Sequence, residues 1–324
     1  MLEVSVVIPA YNAMQYLPQT VESILPQTFR DFEVIIVNDG STDDIEAWFD
    51  ASVSDPRFRL VSQENQGTAG ARNTGIEQSQ GEFIAFLDAD DLWHPKKLEE
   101  QVRKLRSQPE AGLVYTWLQY ADETGKRNGR IVKSSFQGNV WQQLTAFNFV
   151  GCGSNAMIRR SCFETVGNFD QSLDSYVEDW DMWLRVAKQY PFAVVKKPLV
   201  YNRKYPGSCS THWKKMAKGC PRVLEKAFAS APPELAHLKH RSDAHTNLCL
   251  AWKVLQGKQQ NYQKDYKLAL SFWRRAFFKY PSIIFFRSFV NMGVLLLLLA
   301  CFGVDKYRSI QSVIWSTRQN FSML

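Results

Sequence analysis

The stretch Phe83-Ile84-Ala85-Phe86-Leu87-Asp88-Ala89-Asp90-Asp91 decides how this chain is read. Five consecutive apolar residues, preceded by Gly81 and closed by acids, have the continuous pattern of a strand buried on both faces of a parallel sheet. Three carboxylates follow at its C-terminal edge, where open α/β sheets bind ligands. Like charges this close repel, so the cluster calls for a cation, ordered donors or solvent. A hard divalent ion that takes oxygen ligands and keeps positions for phosphate oxygens would satisfy it. A solvated acidic turn, capping a helix that starts near Pro95, would also do so.

Similar units precede this strand. Val4 to Ile8 is a short β-branched run ended by Pro9, and Leu17, Val21, Ile24 and Leu25 then share one helical face. Phe32 to Val37 predicts a second buried strand, broken by the turn Asn38-Asp39-Gly40-Ser41. A helix from about Asp43 and a shorter strand, Arg57 to Val61, come next. Gln66-Gly67-Thr68-Ala69-Gly70-Ala71-Arg72-Asn73 leads into a third helix. The alternation predicts an α/β layer with a mostly parallel sheet flanked by helices.

The loops at the strand ends carry residues suited to a nucleotide. Tyr11 offers a stacking face, and Asp39 an acceptor for a base N–H or a ribose hydroxyl. Gly67 and Gly70 let backbone approach a ligand, and Arg72 could meet phosphate or base. Each has a plainer reading: Asp39-Gly40 as a turn, Arg72 as decoration of a helix start. No G-x-G-x-x-G follows the first strand and no G-x-x-x-x-G-K-[ST] occurs, which disfavours a dinucleotide fingerprint and removes a P-loop.

Four motifs in order, Val6-Val7-Ile8-Pro9-Ala10-Tyr11-Asn12, Val37-Asn38-Asp39-Gly40-Ser41-Thr42-Asp43, Ala71-Arg72-Asn73-Thr74-Gly75 and Phe86-Leu87-Asp88-Ala89-Asp90-Asp91, resemble family 2 glycosyltransferases of the GT-A fold. The resemblance covers roughly the first 205 residues. It implies a Rossmann-like α/β sheet, a nucleoside-diphosphate sugar donor, a divalent metal (Mn2+ or Mg2+) and inversion at the anomeric carbon. By carry-over, Pro9, Ala10, Tyr11, Asn12, Asp39, Gly70, Arg72 and Asn73 would line the nucleoside side. Asp88 would lie near ribose or metal and Asp90 on the metal, while Asp91 caps the helix ahead of Pro95.

Further along, Gly112 to Tyr120 and Asn155 to Arg159 predict strands, with a polar hairpin-like excursion from Asp122 to Arg130. Gly151 and Gly153 suit a bend near a ligand. Gly167-Asn168-Phe169-Asp170 resembles the family's turn ahead of its catalytic acid. In Glu178-Asp179-Trp180-Asp181-Met182-Trp183-Leu184-Arg185, acids stand in a first helical turn, which the helix dipole alone would favour. The resemblance implies Asp179 as base and Glu178 as a positioning partner or acceptor contact. Asp181 and Arg185, four apart, predict an ordinary surface ion pair. After a last strand, Leu199 to Arg203, His212 is a candidate metal or phosphate ligand or an exposed loop histidine. The Q-x-x-R-W segment of processive relatives is missing, so a single sugar transfer is expected.

Charge divides the chain. Residues 1–185 carry 16 Lys and Arg against 27 Asp and Glu, a net of −11, and the remainder nets +18. The acidic part suits metal chemistry and the basic part an anionic surface, with lipid favoured over nucleic acid because no nucleic-acid motif accompanies it. The six cysteines show no C-x-x-C spacing, which fits a reducing compartment. Met1-Leu2-Glu3 runs straight into the first strand, so no signal peptide is expected. The expected divisions are 1–212 as the transferase domain, 213–280 as a basic helical extension and 281–324 as an apolar segment. Met292 to Val304 is too short to span a bilayer but suits a helix lying in the interface, or a buried core helix. Taken together, the sequence predicts a cytoplasmic enzyme at the inner face of a membrane, acting on a lipid-linked or glycan acceptor. A nucleotidyltransferase would need a glycine-rich loop after the first strand, which is missing. A silent binding protein would be expected to lose Asp90 or Asp179, and both are present.

Overall fold

The computed structural model describes residues 2–173, 176–205, 208, 213–256 and 262–317. The chain forms two units, residues 1–144 with 148–205, and residues 145–147 with 206–324. In the first, β1 (Val4–Ala10), α1 (Leu17–Ile24), β2 (Phe32–Asp39), α2 (Ile45–Ser52), β3 (Phe58–Gln63), α3 (Gly67–Gln78) and β4 (Phe83–Phe86) alternate. These four strands are parallel and ordered β3-β2-β1-β4. The strand order reverses between β1 and β4, and a crevice opens outside the carboxyl ends at such a reversal. The loop after β1 and the acidic turn after β4 therefore flank one crevice.

Next come β5 (Leu92–Trp93), α4 (Lys97–Ser107), β6 (Leu113–Ala121), β7 (Arg127–Val132), α5 (Trp141–Ala146), β8 (Met157–Arg159), α6 (Arg160–Val166), α7 (Glu178–Gln189) and β9 (Phe192–Arg203). The sheet continues β4-β8-β6-β9-β5, with β7 paired to β6. β8 runs antiparallel to β4 and β6, whereas β6 and β9 are parallel. The expected last strand is longer than its sequence suggests. Pro198 lies where the β6–β9 register shifts, opposite Trp117, so the ladder tolerates its missing N–H.

Why β1, β2 and β4 form strands is plain from burial. Val4, Val6 and Ile8 pack with Val34, Ile36, Phe83 and Ala85 in one core, and the intervening Val7, Ile35 and Ile84 are equally inaccessible. A polar core element ties β6 to the segment before β8. Asn155 donates through Nδ2 to the carbonyls of Thr116 (2.8 Å) and Val150 (2.7 Å). Its Oδ1 accepts from the Thr116 N–H (3.0 Å) and hydroxyl (2.8 Å).

The second unit contains α8 (Trp213–Ala229), α9 (Leu238–Gln256), α10 (Tyr262–Lys279) and α11 (Arg287–Thr317). The extension and the apolar stretch, expected as separate segments, share one core. Ala244, Leu248 and Ala251 of α9 meet Ala269, Phe272 and Ala276 of α10 and Phe289, Met292 and Leu296 of α11. Trp273 stacks on Phe289 with centroids 4.7 Å apart and donates to its carbonyl at 3.0 Å. Among the described residues, no helix is long and apolar enough to cross a membrane. The five described cysteines are free thiols.

Asn155→Ala should strand three buried backbone groups at roughly 1–3 kcal/mol each. Urea unfolding should show a loss of about 3 kcal/mol or more at unchanged denaturant slope.

Candidate active site

The site is organised by an arginine with no access to solvent. α3 begins after the turn at Gly67 (φ +74°), and its second turn places Arg72 beneath the crevice. Arg72 Nη2 donates to Asp88 Oδ1 and Nη1 to Glu178 Oε1, both at 2.7 Å, with the guanidinium over the Phe169 ring. Burial alone would lower its pKa, but Asp88, Glu178 and Asp179 outweigh that and raise it, so the charge is permanent. Glycine at 153 makes the bridge possible, since a Cβ there would stand 2.5 Å from Nη2. Arg72 is thus committed to carboxylates, whereas its sequence neighbourhood suggested a phosphate or base.

The three acids after β4 separate in role. Asp88 is held by Arg72, and its backbone N–H donates to Ser154 Oγ (3.0 Å). Asp90 is gripped at both ends: Arg203 Nε donates to its carbonyl (2.7 Å), and the Tyr205 hydroxyl to its Oδ2 (2.9 Å). Burial and the neighbouring Asp88 raise its pKa. Asp91 does not cap the helix ahead of Pro95; it is fully buried, and α4 begins only at Lys97. Its carboxylate accepts from Ser154 Oγ (2.5 Å), Asn202 Nδ2 (3.0 Å) and the Arg203 N–H (2.9 Å), fastening the turn to β9. Burial, Asp90 and Asp88 push it up to about 7. Arg72 balances Asp88 and Lys204 acts on Asp90, while the hard carboxylate oxygens of the turn are of the kind that suits a divalent cation. Among the described residues, no group of three or more His, Cys, Asp or Glu is arranged to hold a metal. Asp88 and Asp90 would therefore be joined by oxygens from elsewhere, such as a donor's phosphates. His212 lies outside the described residues.

On the opposite side of the crevice, Pro9 and Ala10 complete β1 against Val37 and Asn38, and Tyr11 stands 54% exposed. Asn12 (φ +48°) accepts through Oδ1 from the Thr42 N–H at 2.8 Å, tying the first loop to the second. Asp39 Oδ1 accepts from Gln63 Nε2 (2.7 Å) and the Gln66 N–H (2.9 Å). Its Oδ2 has no hydrogen-bond partner among the described residues. Gly70 packs so closely that a Cβ would lie 2.4 Å from Gln66 Cβ. Asn73 exchanges two hydrogen bonds with the Phe169 backbone, so it splints the Gly167–Asp170 turn beneath Arg72.

α7 brings in the remaining acids. Glu178 is buried between Arg72 and the Tyr176 N–H (2.6 Å), which fits the positioning role. Asp179 accepts from its own helix at the Trp180 N–H (2.6 Å) and from Asn148 Nδ2 (3.4 Å). Burial, then the neighbouring Glu178, push its pKa up to about 7 against the pull of Arg72. The Asp181–Arg185 pair forms at 2.8 Å, but it is no surface pair. Asp181 is buried, and Arg185 also donates to the Val166 and Asn168 carbonyls, locking α7 to the same turn. Sequence reasoning missed Asn148, Ser154, Asn202, Arg203 and Tyr205. Tyr205 lies beyond the end of β9 at Arg203, so strand alternation gave no signal for it.

Two carboxylates after β4 and a buried acid at the start of α7 are thus brought together, through Arg72, at the carboxyl ends of a mostly parallel α/β sheet. The chain belongs to glycosyl transferase family 2, whose model matches residues 5–167. It is 32% identical to chondroitin synthase of Escherichia coli over 201 residues, 62% of this chain and 28% of that protein. The chain spans only 20–43% of the length of four curated relatives, chondroitin synthase among them. Its fold is similar to residues 1–349 of S. aureus TarS in complex with UDP (TM-score 0.58, 18% identity, 98% of this chain and 92% of that one). It is also similar to a Pyrobaculum calidifontis mannosyltransferase in complex with GDP-Man and Mn2+ (TM-score 0.61, 19% identity, 98% and 84%). Both solved relatives share the GT-A architecture.

Arg72→Ala would leave buried Glu178 unpaired. The unfolding free energy should fall by roughly 3–5 kcal/mol, the range for breaking a buried ion pair, as measured by urea titration.

Proposed function

We propose that this protein is an inverting, divalent-metal-dependent transferase. It would move one sugar from a nucleoside-diphosphate sugar to a hydroxyl of a lipid-linked or glycan acceptor, in cell-surface glycan or polysaccharide synthesis. One observation carries the reading. Through Glu178 and Asp88, Arg72 joins the start of α7 to the acidic turn after β4, so Asp179 and Asp90 serve one crevice. In the proposed step, Asp179 takes the proton of the acceptor hydroxyl while that oxygen attacks the anomeric carbon. The bond to the diphosphate breaks on the opposite face, and its electrons leave with the nucleotide. Asp90 and Asp88 are the residues that would hold a divalent ion, which would supply positive charge to offset that gathering on the leaving group.

A uridine- or thymidine-type donor is favoured by Asp39, whose free Oδ2 is an acceptor for the N3–H both bases present. The relatives solved with UDP and with GDP-Man support a nucleotide-linked donor in this crevice. Incubating the purified protein with Mn2+ and UDP- or dTDP-sugars should release nucleoside diphosphate. Pyrophosphate release, or no turnover with any donor, would overturn the reading.

Because the base must be ionised, turnover should rise as pH is raised through about 7 and level off above it. Asp179→Asn should lose roughly 10²–10⁴-fold in kcat and this pH dependence, with UDP affinity by calorimetry unchanged. Tyr205→Phe removes the donor that orients Asp90. Mn2+ affinity, read by electron paramagnetic resonance in the presence of UDP, should fall about tenfold, the lower end for second-sphere changes.

A further inference from the structure

The second unit presents an apolar face that its own core does not use. Phe278 at the end of α10 is 72% exposed, and Phe285, just before α11, is 84% exposed. α11 then has two sides. Phe289, Met292, Leu296 and Leu299 are buried in the unit's core, while Val290, Val294 and Leu297, spaced i, i+4, i+7, face outward. Folded soluble proteins rarely leave contiguous apolar surface of this kind bare.

Charge identifies the occupant. Residues 206–324 carry 18 Lys and Arg against 5 Asp and Glu, and residues 266–304 contain no carboxylate at all. Arg274, Arg275, Lys279 and Arg287 are exposed around the protruding phenylalanines. A second copy docking through the same face would oppose like charges, whereas anionic headgroups complement it. Asp243 of α9 lies 3.9 Å from Lys279, but cations outnumber it around these apolar residues, which is the pattern of a surface that lies in a bilayer interface.

We infer that this face, centred on Phe278, Phe285 and the outer row of α11, docks the protein onto an anionic lipid surface. The helix lies on the membrane and does not cross it, because its inner row is already committed to α9 and α10. The inference goes beyond the proposed transfer chemistry and holds whatever sugar is moved.

The test is sedimentation of the full chain with phosphatidylcholine vesicles, with and without phosphatidylglycerol. Binding should require the anionic lipid and weaken between low and high salt. Phe278→Ser with Phe285→Ser should lower the partition coefficient at least tenfold, and Arg274→Gln with Arg275→Gln by several-fold to tenfold. Thermal midpoint and donor hydrolysis in solution should not change, since all four side chains are exposed. Three results would overturn the inference: no binding to anionic vesicles, equal binding to neutral ones, or phenylalanine variants that bind as the parent does. A parent dimer that the phenylalanine variants convert to monomer in light scattering would also overturn it, by assigning the face to a second copy.

Discussion

The first unit depends on one buried cation. Arg72 sits where desolvation opposes any charge, and it is stable there because carboxylates from two distant segments meet it at 2.7 Å. Buried ion pairs contribute little net stability against an apolar replacement, yet removing one partner is costly. Such a bridge therefore specifies geometry more than it adds stability. Around it, Asn73 holds the Phe169 backbone, Phe169 lies under the guanidinium, and Arg185 holds the neighbouring carbonyls. These contacts fasten the start of α7 to Arg72 and to the turn, and with it the position of Asp179.

The acidic turn uses its three carboxylates for different work, which resolves the repulsion between them. Asp88 is neutralised by Arg72. Asp91 is taken into the protein, where Ser154, Asn202 and the Arg203 backbone satisfy it. That leaves Asp90 with one oxygen on Tyr205 and its proton affinity raised by burial and by Asp88. An acid oriented in this way, with Lys204 the nearby positive charge, would suit a hard cation without rearranging. Organisation in advance is what lets electrostatic stabilisation act without reorganisation during reaction.

Much of the α/β layer was legible because strands buried on both faces must be apolar throughout, and β1, β2 and β4 are. The parallel order followed from alternation with helices. β5 escaped notice because two residues between Asp91 and His94 carry no period, and β9 was read short because proline normally ends a strand. In the site, the positions of Asp39, Asp88, Asp90 and Asp179 at or just beyond strand and helix ends were legible. Their partners were not. Arg72 meets acids 16 and 106 positions away, and nothing local distinguishes a bridging arginine from one awaiting phosphate. Likewise, adjacent aspartates on one turn look alike until burial separates Asp90 from Asp91.

Charge asymmetry along the chain has a structural meaning within each unit. A crevice lined by carboxylates would repel a diphosphate unless a cation intervened. The basic unit has no such cluster; its five acids are outnumbered, and its stretch without carboxylates coincides with the exposed phenylalanines. The first unit carries 21 Lys and Arg against 27 Asp and Glu and the second 18 against 5, so the excess differs in sign between them, and salt screens either beyond about 10 Å.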